Sequence, residues 1–299
     1  MSFYYLQEEM GLALNDILDR VCSKNRENLK NDISITWINY KSENNQIYKG
    51  FGFGINDKKL IYPASIVKLV YGLAAYSWIK TKKILLSQEI SDAVYKMLFY
   101  SSNDATSFLI DVLTGTTSGP CIEGDPWENW KYQRSIINDW LQELNWNELN
   151  EINCCQKTWE DEPFGREKEF YGAENKNRNM MTTNSTARIL EEIMINLDYQ
   201  NDNLNLRSFL KRNLNKNLLN KDPLNQVDGF LGGGLPENVN FWSKAGLMSQ
   251  ARHDAAWWVN NDSLQTLLVV FGNGEKYVKD EILFPEISNA VYRYNNNLI

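Results

Sequence analysis

The stretch Leu60-Ile-Tyr-Pro-Ala-Ser-Ile-Val-Lys-Leu-Val-Tyr-Gly-Leu-Ala-Ala-Tyr76 decides how this chain is read. Pro63 suits the start of a helix, where its missing N–H costs nothing. Beyond it, Ile66, Val67, Leu69, Val70, Leu73, Ala74 and Ala75 leave almost no polar face, the pattern of a helix buried inside a domain. Ser65 and Lys68 interrupt that pattern at i and i+3, and so lie on one face. An amine beside a hydroxyl in apolar surroundings has a chemical use. Burial disfavours the ammonium form, and a neutral amine can take the serine's proton. The same two residues also fit an N-capping serine and a lysine that snorkels to water, so the pair alone does not choose between the two readings.

Working outward, apolar residues at helical spacing predict a helix over 6–30. Alternating residues predict a strand over 33–40, a turn at 41–45 and a second strand through Tyr48, Phe51 and Phe53. Helices are expected at 88–99, 104–113, 127–144, 183–197 and near 206–219. Residues 150–181 show no sustained periodicity, and a loop that long in a compact protein usually has a function. After the Gly232-Gly-Gly234 breaker, strands are expected at 239–245, 251–259 and 264–271, then a helix over 277–294. The expectation is an α/β fold (an α+β sandwich), in which the N- and C-terminal helices flank a five-stranded antiparallel sheet. Residues 1–60 and 221–299 would form that lobe. Residues 61–220 would form an inserted all-helical lobe that carries the Ser65 helix and an omega-like loop at 150–181. A cleft would then run between the lobes, with Ser65 at its mouth.

Composition narrows the function. The 299 residues suit one large domain or two lobes, and 43% hydrophobic content with ten Trp excludes a disordered polymer. A formal charge of −7 argues against nucleic-acid or anionic-membrane partners. Cys22, Cys121, Cys154 and Cys155 form neither a metal-ligand pattern nor a disulfide framework, so free thiols are expected, with no metal and no organic cofactor. The first ten residues lack a basic n-region and an apolar h-region, and no apolar run is long enough to span a bilayer. The expectation is a cytoplasmic protein.

Two further signals follow the helix in order. Tyr100-Ser-Ser-Asn-Asp-Ala-Thr106 is a polar turn between helices, and Trp242-Ser-Lys-Ala-Gly246 ends the first strand after the glycine breaker. With Ser65 and Lys68 they read Ser-x-x-Lys, Ser-x-Asn and Lys-x-Gly. This resembles the penicillin-recognising serine hydrolases, the class A β-lactamases and D,D-peptidases, whose pattern is S-x-x-K, S-D-N and K-T-G. Together with Arg252-His-Asp254, these stretches also look like a cyanobacterial group of β-lactamase-like serine hydrolases. The resemblance covers nearly the whole chain, because element order matches as well. It implies an acyl-serine mechanism on a small-molecule or peptide-like amide or ester. Ser65 would be the nucleophile, Lys68 its base or proton relay, and Ser101 the donor to the leaving nitrogen. Asn103 would hold the substrate amide and orient Lys68, and Lys244 would attract a substrate carboxylate. The N–H groups of Ser65 and Leu247 would stabilise the oxyanion.

The departures carry information too. Ser102 replaces the acidic residue of S-D-N. Ala245, in front of Gly246, removes the hydroxyl of K-T-G, for which Arg252 could compensate. The segment from Lys68 to Ser101 is short for a class A enzyme. The region Trp159-Glu-Asp-Glu-Pro-Phe-Gly-Arg-Glu-Lys-Glu169 is acid-rich but has no E-x-x-L-N, so Glu167 and Glu169 are the nearest candidates to activate the deacylating water. Solvated loop charges paired with Arg166 or Lys168 are the other reading of both. His253, the only histidine, is expected to be structural rather than a general base. Three outcomes stay open: a β-lactamase, a D,D-peptidase or esterase with little β-lactam turnover, or a binding protein descended from the fold.

Overall fold

A computed structural model of the chain describes residues 2–22, 26–43, 46–198, 204–222, 225–261 and 264–298. The expected turn at 41–45 falls partly outside them, at Asn44 and Asn45. The chain divides into two compact units: residues 1–66, 182–197 and 210–299 form the first, and residues 67–181 and 198–209 the second.

The first unit is built on a sheet. Its strands are β1 (Tyr5–Leu6), β2 (Ile33–Glu43), β3 (Gln46–Ile47), β4 (Phe51–Ile55), β5 (Lys211–Arg212), β6 (Asn240–Met248), β7 (Ala251–Asn261) and β8 (Leu264–Asn273). Their order is β1-β4-β2-β8-β7-β6-β5, with β3 paired to β2 off that path. The sheet therefore has seven strands in its path rather than five. The additions, β1, β5 and the off-path β3, are two residues long, too short to show a period. It is also not wholly antiparallel, because β1 runs parallel to β4. β8 lies between β2 and β7, with Ile35 opposite Val270 and Ala255 opposite Val269, so the two ends of the chain share one sheet.

Both faces of the central strands are covered, which is why β8 reads as a continuous apolar run from Leu267 to Phe271. On one face, Leu14 and Leu18 of the Glu8–Cys22 helix and Ile287 and Val291 of the Leu283–Asn295 helix join Trp37, Trp258 and Leu268 in one core. The Thr183–Glu191 helix also meets the sheet, through Thr36 Oγ1 donating to Thr183 Oγ1 at 2.9 Å and Tyr40 Oη donating to Glu191 at 3.1 Å. That helix ends in a π-helical turn at Glu192–Asn196.

The second unit is helical. Its central helix, Lys68–Lys80, is buried nearly all round, as its apolar sequence requires. The helices Gln88–Phe99 and Asn103–Thr114 begin at capping serines, Ser87 and Ser102, whose hydroxyls accept from the Ile90 and Ala105 N–H groups. Gly124–Glu143 is the longest helix described. The connection from 150 to 181 is held by asparagines rather than by periodic structure. Asn153 bridges Asn138, Asn177 and the Arg178 carbonyl, and Asn179 accepts from the Cys155 and Gln156 N–H groups. These amides supply the partners that buried loop backbone must find. The cysteines are unpaired thiols, and burial raises the pKa values of Cys154 and Cys155, which keeps them inert. Among the described residues, no helix is long and apolar enough to cross a membrane.

Candidate functional site

Ser65 lies in the first unit, on a 3-10 turn, Ala64–Val67, that runs directly into the Lys68–Lys80 helix. Ala64, just before it, has φ 47°, a left-handed conformation unusual for a residue with a Cβ. Such strain gathers where a side chain must be presented at a fixed angle. Gly246 of β6 passes this turn closely. A Cβ added there would sit 2.9 Å from the Pro63 carbonyl oxygen and 3.2 Å from the Ser65 nitrogen, so the glycine of Lys-x-Gly is required by approach distance. The segment is also held from below: His253 Nε2 meets the Tyr62 carbonyl at 2.9 Å. His253 is fully buried, and burial pushes its pKa down to about 4. It is neutral at pH 7 and serves as a brace.

The second unit places Lys68 at the centre of a polar cluster. Its Nζ donates to the Ser101 carbonyl at 2.6 Å, the Ser101 hydroxyl at 3.2 Å and Asn103 Oδ1 at 2.7 Å. Ser101 has φ 59°, the second strained non-glycine residue beside a candidate group. This turn lets its carbonyl and hydroxyl oxygens both reach the lysine. Ser102 is used as the cap of the Asn103 helix, so the serine that replaces the acid of S-D-N has a structural job. Burial lowers the Lys68 pKa to about 7, against an opposing pull from Glu160. Near neutrality about half of these lysines carry no proton. The neutral amine has two N–H groups and a lone pair, and the Ser101 hydroxyl, which can donate or accept, can turn to serve it.

Asn103 reaches the other way as well, with its Nδ2 donating to Glu160 Oε1 at 2.7 Å. Glu160 is thus the carboxylate at the Lys68 cluster, and sequence reading missed it because the loop offers many acids. Glu167 is elsewhere. It is fully buried, paired to Arg134 by two 2.8 Å bonds, and accepts from Ser118 at 2.7 Å. Asp111 and Lys157 complete that network. These partners engage both carboxylate oxygens, so Glu167 pins the Gly165–Tyr171 helix, in contrast to the water-activating role expected of it. Glu169 lies exposed on the same short helix.

Lys244, in the first unit, is fully buried, and its Nζ donates to Gln226 Oε1 at 2.9 Å and to the Ala245 carbonyl at 2.7 Å. The Ala245 N–H donates to the same Gln226 oxygen at 3.3 Å. Gln226 was invisible in the sequence, since it sits in an irregular segment and fits none of the three motifs. Leu247, next along β6, is half exposed. Arg252 stands opposite Leu247 in register, yet its guanidinium donates to the Val278 and Gly229 carbonyls and is only 3% exposed. It ties the Glu275–Lys279 helix and the turn at Gly229 to the strand, and these bonds occupy the guanidinium that was expected to compensate for the lost threonine hydroxyl. A groove of about 720 Å³ between the terminal helices, lined by Arg20, Lys216, Leu235, Pro285 and Arg293 among others, includes none of these candidate residues.

Residues 87–295, well over half of the chain, match the Beta-lactamase2 family, the beta-lactamase enzyme family. The match starts after Ser65 and Lys68 and spans Ser101, Asn103, Glu160 and Lys244. No curated protein sequence matches the chain. Among solved structures it is similar to a PBP-A mutant in its acyl-enzyme complex with penicillin G, at 13% identity, 96% of this chain and 97% of that one, TM-score 0.59. It is similar to a β-lactamase from Chitinophaga pinensis, at 12% identity over 95% of this chain and 99% of that one, TM-score 0.62. A β-lactamase from Francisella tularensis shows 14% identity over 96% and 100% of the two chains, TM-score 0.61. Identities this low speak for the fold. The family match goes further, and the chain belongs to the β-lactamase enzyme family as a serine hydrolase.

Proposed function

We propose that this hydrolase opens an amide or ester bond by acylating Ser65 and then releases the acyl group to water activated by Glu160. The observation that carries the reading is the continuous run from the Lys68 amine through Asn103 to the Glu160 carboxylate. Neutral Lys68 takes the Ser65 hydroxyl proton as Oγ attacks the carbonyl carbon. The Ser65 and Leu247 N–H groups hold the oxyanion, and the close passage of Gly246 to the Ser65 nitrogen supports that placement. The bond to the leaving nitrogen or oxygen breaks as Ser101 hands it a proton and takes one back from the Lys68 ammonium, whose Nζ is 3.2 Å from its hydroxyl, leaving an acyl ester on Ser65 and a neutral amine.

In the second half, Glu160 takes a proton from water, hydroxide adds to the ester carbon, and the bond to Ser65 Oγ breaks as the proton held by Glu160 passes on to that oxygen, restoring the free serine and the carboxylate. The carboxylate beside Lys68 favours turnover over a stable adduct, and so a β-lactamase-type hydrolase over an acyl-trapping peptidase. A binding protein would have no use for an amine held near neutrality beside a carboxylate. The test is steady-state hydrolysis of a chromogenic cephalosporin and a panel of activated esters. Ser65→Ala should lower kcat/KM at least about a thousandfold on any substrate the wild type cleaves. An unchanged rate in that variant refutes the reading.

A further inference from the structure

The edge of β6 bears on which substrates fit, an inference that rests on the reading above. β5 pairs with β6 only at Phe241 and Trp242, so the edge beyond is open to a further strand. An open edge accepts an extended peptide by backbone hydrogen bonding, one rung every second residue. Here the first rungs are already taken by side chains. Arg212 donates from Nε and Nη2 to the Ser243 carbonyl at 3.3 and 3.2 Å. The Ala245 N–H is held by Gln226 Oε1, and the Ala245 carbonyl by Lys244 Nζ. Residues 243 and 245 thus turn their backbone groups to the edge, and the period of two places those of Leu247 there as well. Among the described residues no side chain hydrogen-bonds the Leu247 backbone groups, and Leu247 is 49% exposed.

We infer that Arg212 and Gln226 close the β6 edge up to Ala245, so that substrate docks on the single rung at Leu247. The enzyme then selects compact amides and esters over extended peptides, with Gln226 as the specificity-determining residue. Two donors, Lys244 Nζ and the Ala245 N–H, converge on one Gln226 oxygen, which fixes the amide orientation and makes the cap a built feature.

The test measures binding rather than turnover, so it is independent of acylation. In the Ser65→Ala protein, Kd is measured by calorimetry for penicillin G and for an N-acetylated peptide ending in two D-alanines, with and without Gln226→Ala. Opening the Ala245 rung should tighten the peptide about five- to tenfold, the size of one net hydrogen bond, and change penicillin G less than about threefold. Gln226→Glu keeps the acceptor, so the peptide should stay as weak as with Gln226, and this variant covers the case in which Gln226→Ala fails to fold. Equal weakening of both ligands, an unchanged ratio, or absence of binding by either ligand overturns the inference. A shifted ratio here, together with a wild-type protein whose mass never changes on incubation with penicillin G or activated esters, would leave the edge inference standing and refute the acyl-enzyme reading.

Discussion

Glu160→Gln separates the two halves of the reaction. The glutamine oxygen can still accept from Asn103 Nδ2, whose bond to Glu160 is 2.7 Å, so local packing survives while charge and basicity are lost. Loss of a general base slows its step by roughly 10²–10⁴, about 2.7–5.4 kcal/mol at 1.36 kcal/mol per tenfold, and here that step is deacylation. The same carboxylate holds the Lys68 pKa up, so its removal moves that pKa below about 7 and leaves more neutral amine at pH 6. Acylation at pH 6 should therefore be maintained or faster while turnover collapses. Stopped-flow absorbance with a chromogenic cephalosporin would show a burst of one product per enzyme, then a slow steady phase. Quenched samples would carry the acyl mass. Opposite effects on two steps are not what misfolding produces. If steady turnover is unchanged, or both phases fall together, Glu160 does not do this work.

Other consequences follow from the same geometry. Acylation should rise with pH through an inflection near 7, the Lys68 pKa, and fall about tenfold per unit below it, because the neutral amine is the active form. An inflection at 9–10 in single-turnover rates would mean an ordinary lysine. Glu167→Gln leaves the buried Arg134 charge with only the more exposed Asp111 carboxylate, at 3.3 Å, and should cost about 3 kcal/mol in urea unfolding, against less than about 0.5 kcal/mol for Glu169→Gln on the surface. Similar losses for both would contradict the placement of Glu167. Gly246→Ala forces a methyl to 2.9 Å from the Pro63 carbonyl and should reduce kcat at least about a hundredfold, the scale of one lost oxyanion donor. Wild-type kcat in a folded variant would show that the approach is not critical.

How much of this was legible in the sequence depended on the kind of signal. The long strands and the Lys68–Lys80 helix announced themselves through period and burial, and β1, β3 and β5 could not, at two residues each. Motif spacing pointed to Ser65, Lys68, Ser101, Asn103 and Lys244, and the structure gathers Lys68, Ser101 and Asn103 into one cluster. Choosing a carboxylate from an acid-rich loop was beyond spacing, because Glu160 and Glu167 differ only in what lies across from them. Arg252 looked available from its place on the strand after the third motif, yet position does not say where a long side chain ends, and this one ends on the Val278 and Gly229 carbonyls. The abundance of asparagine carried meaning only once Asn138, Asn153, Asn177 and Asn179 were seen to satisfy the backbone of the loop around them.

The measurement closest to the central claim is peptide mapping after a brief, acid-quenched incubation of the Glu160→Gln protein with penicillin G. The mechanism requires the acyl mass on the peptide that contains Ser65, and none in the Ser65→Ala, Glu160→Gln double variant. Substrate consumed at the wild-type rate with no adduct, or an adduct on another residue, would contradict an acyl-Ser65 enzyme.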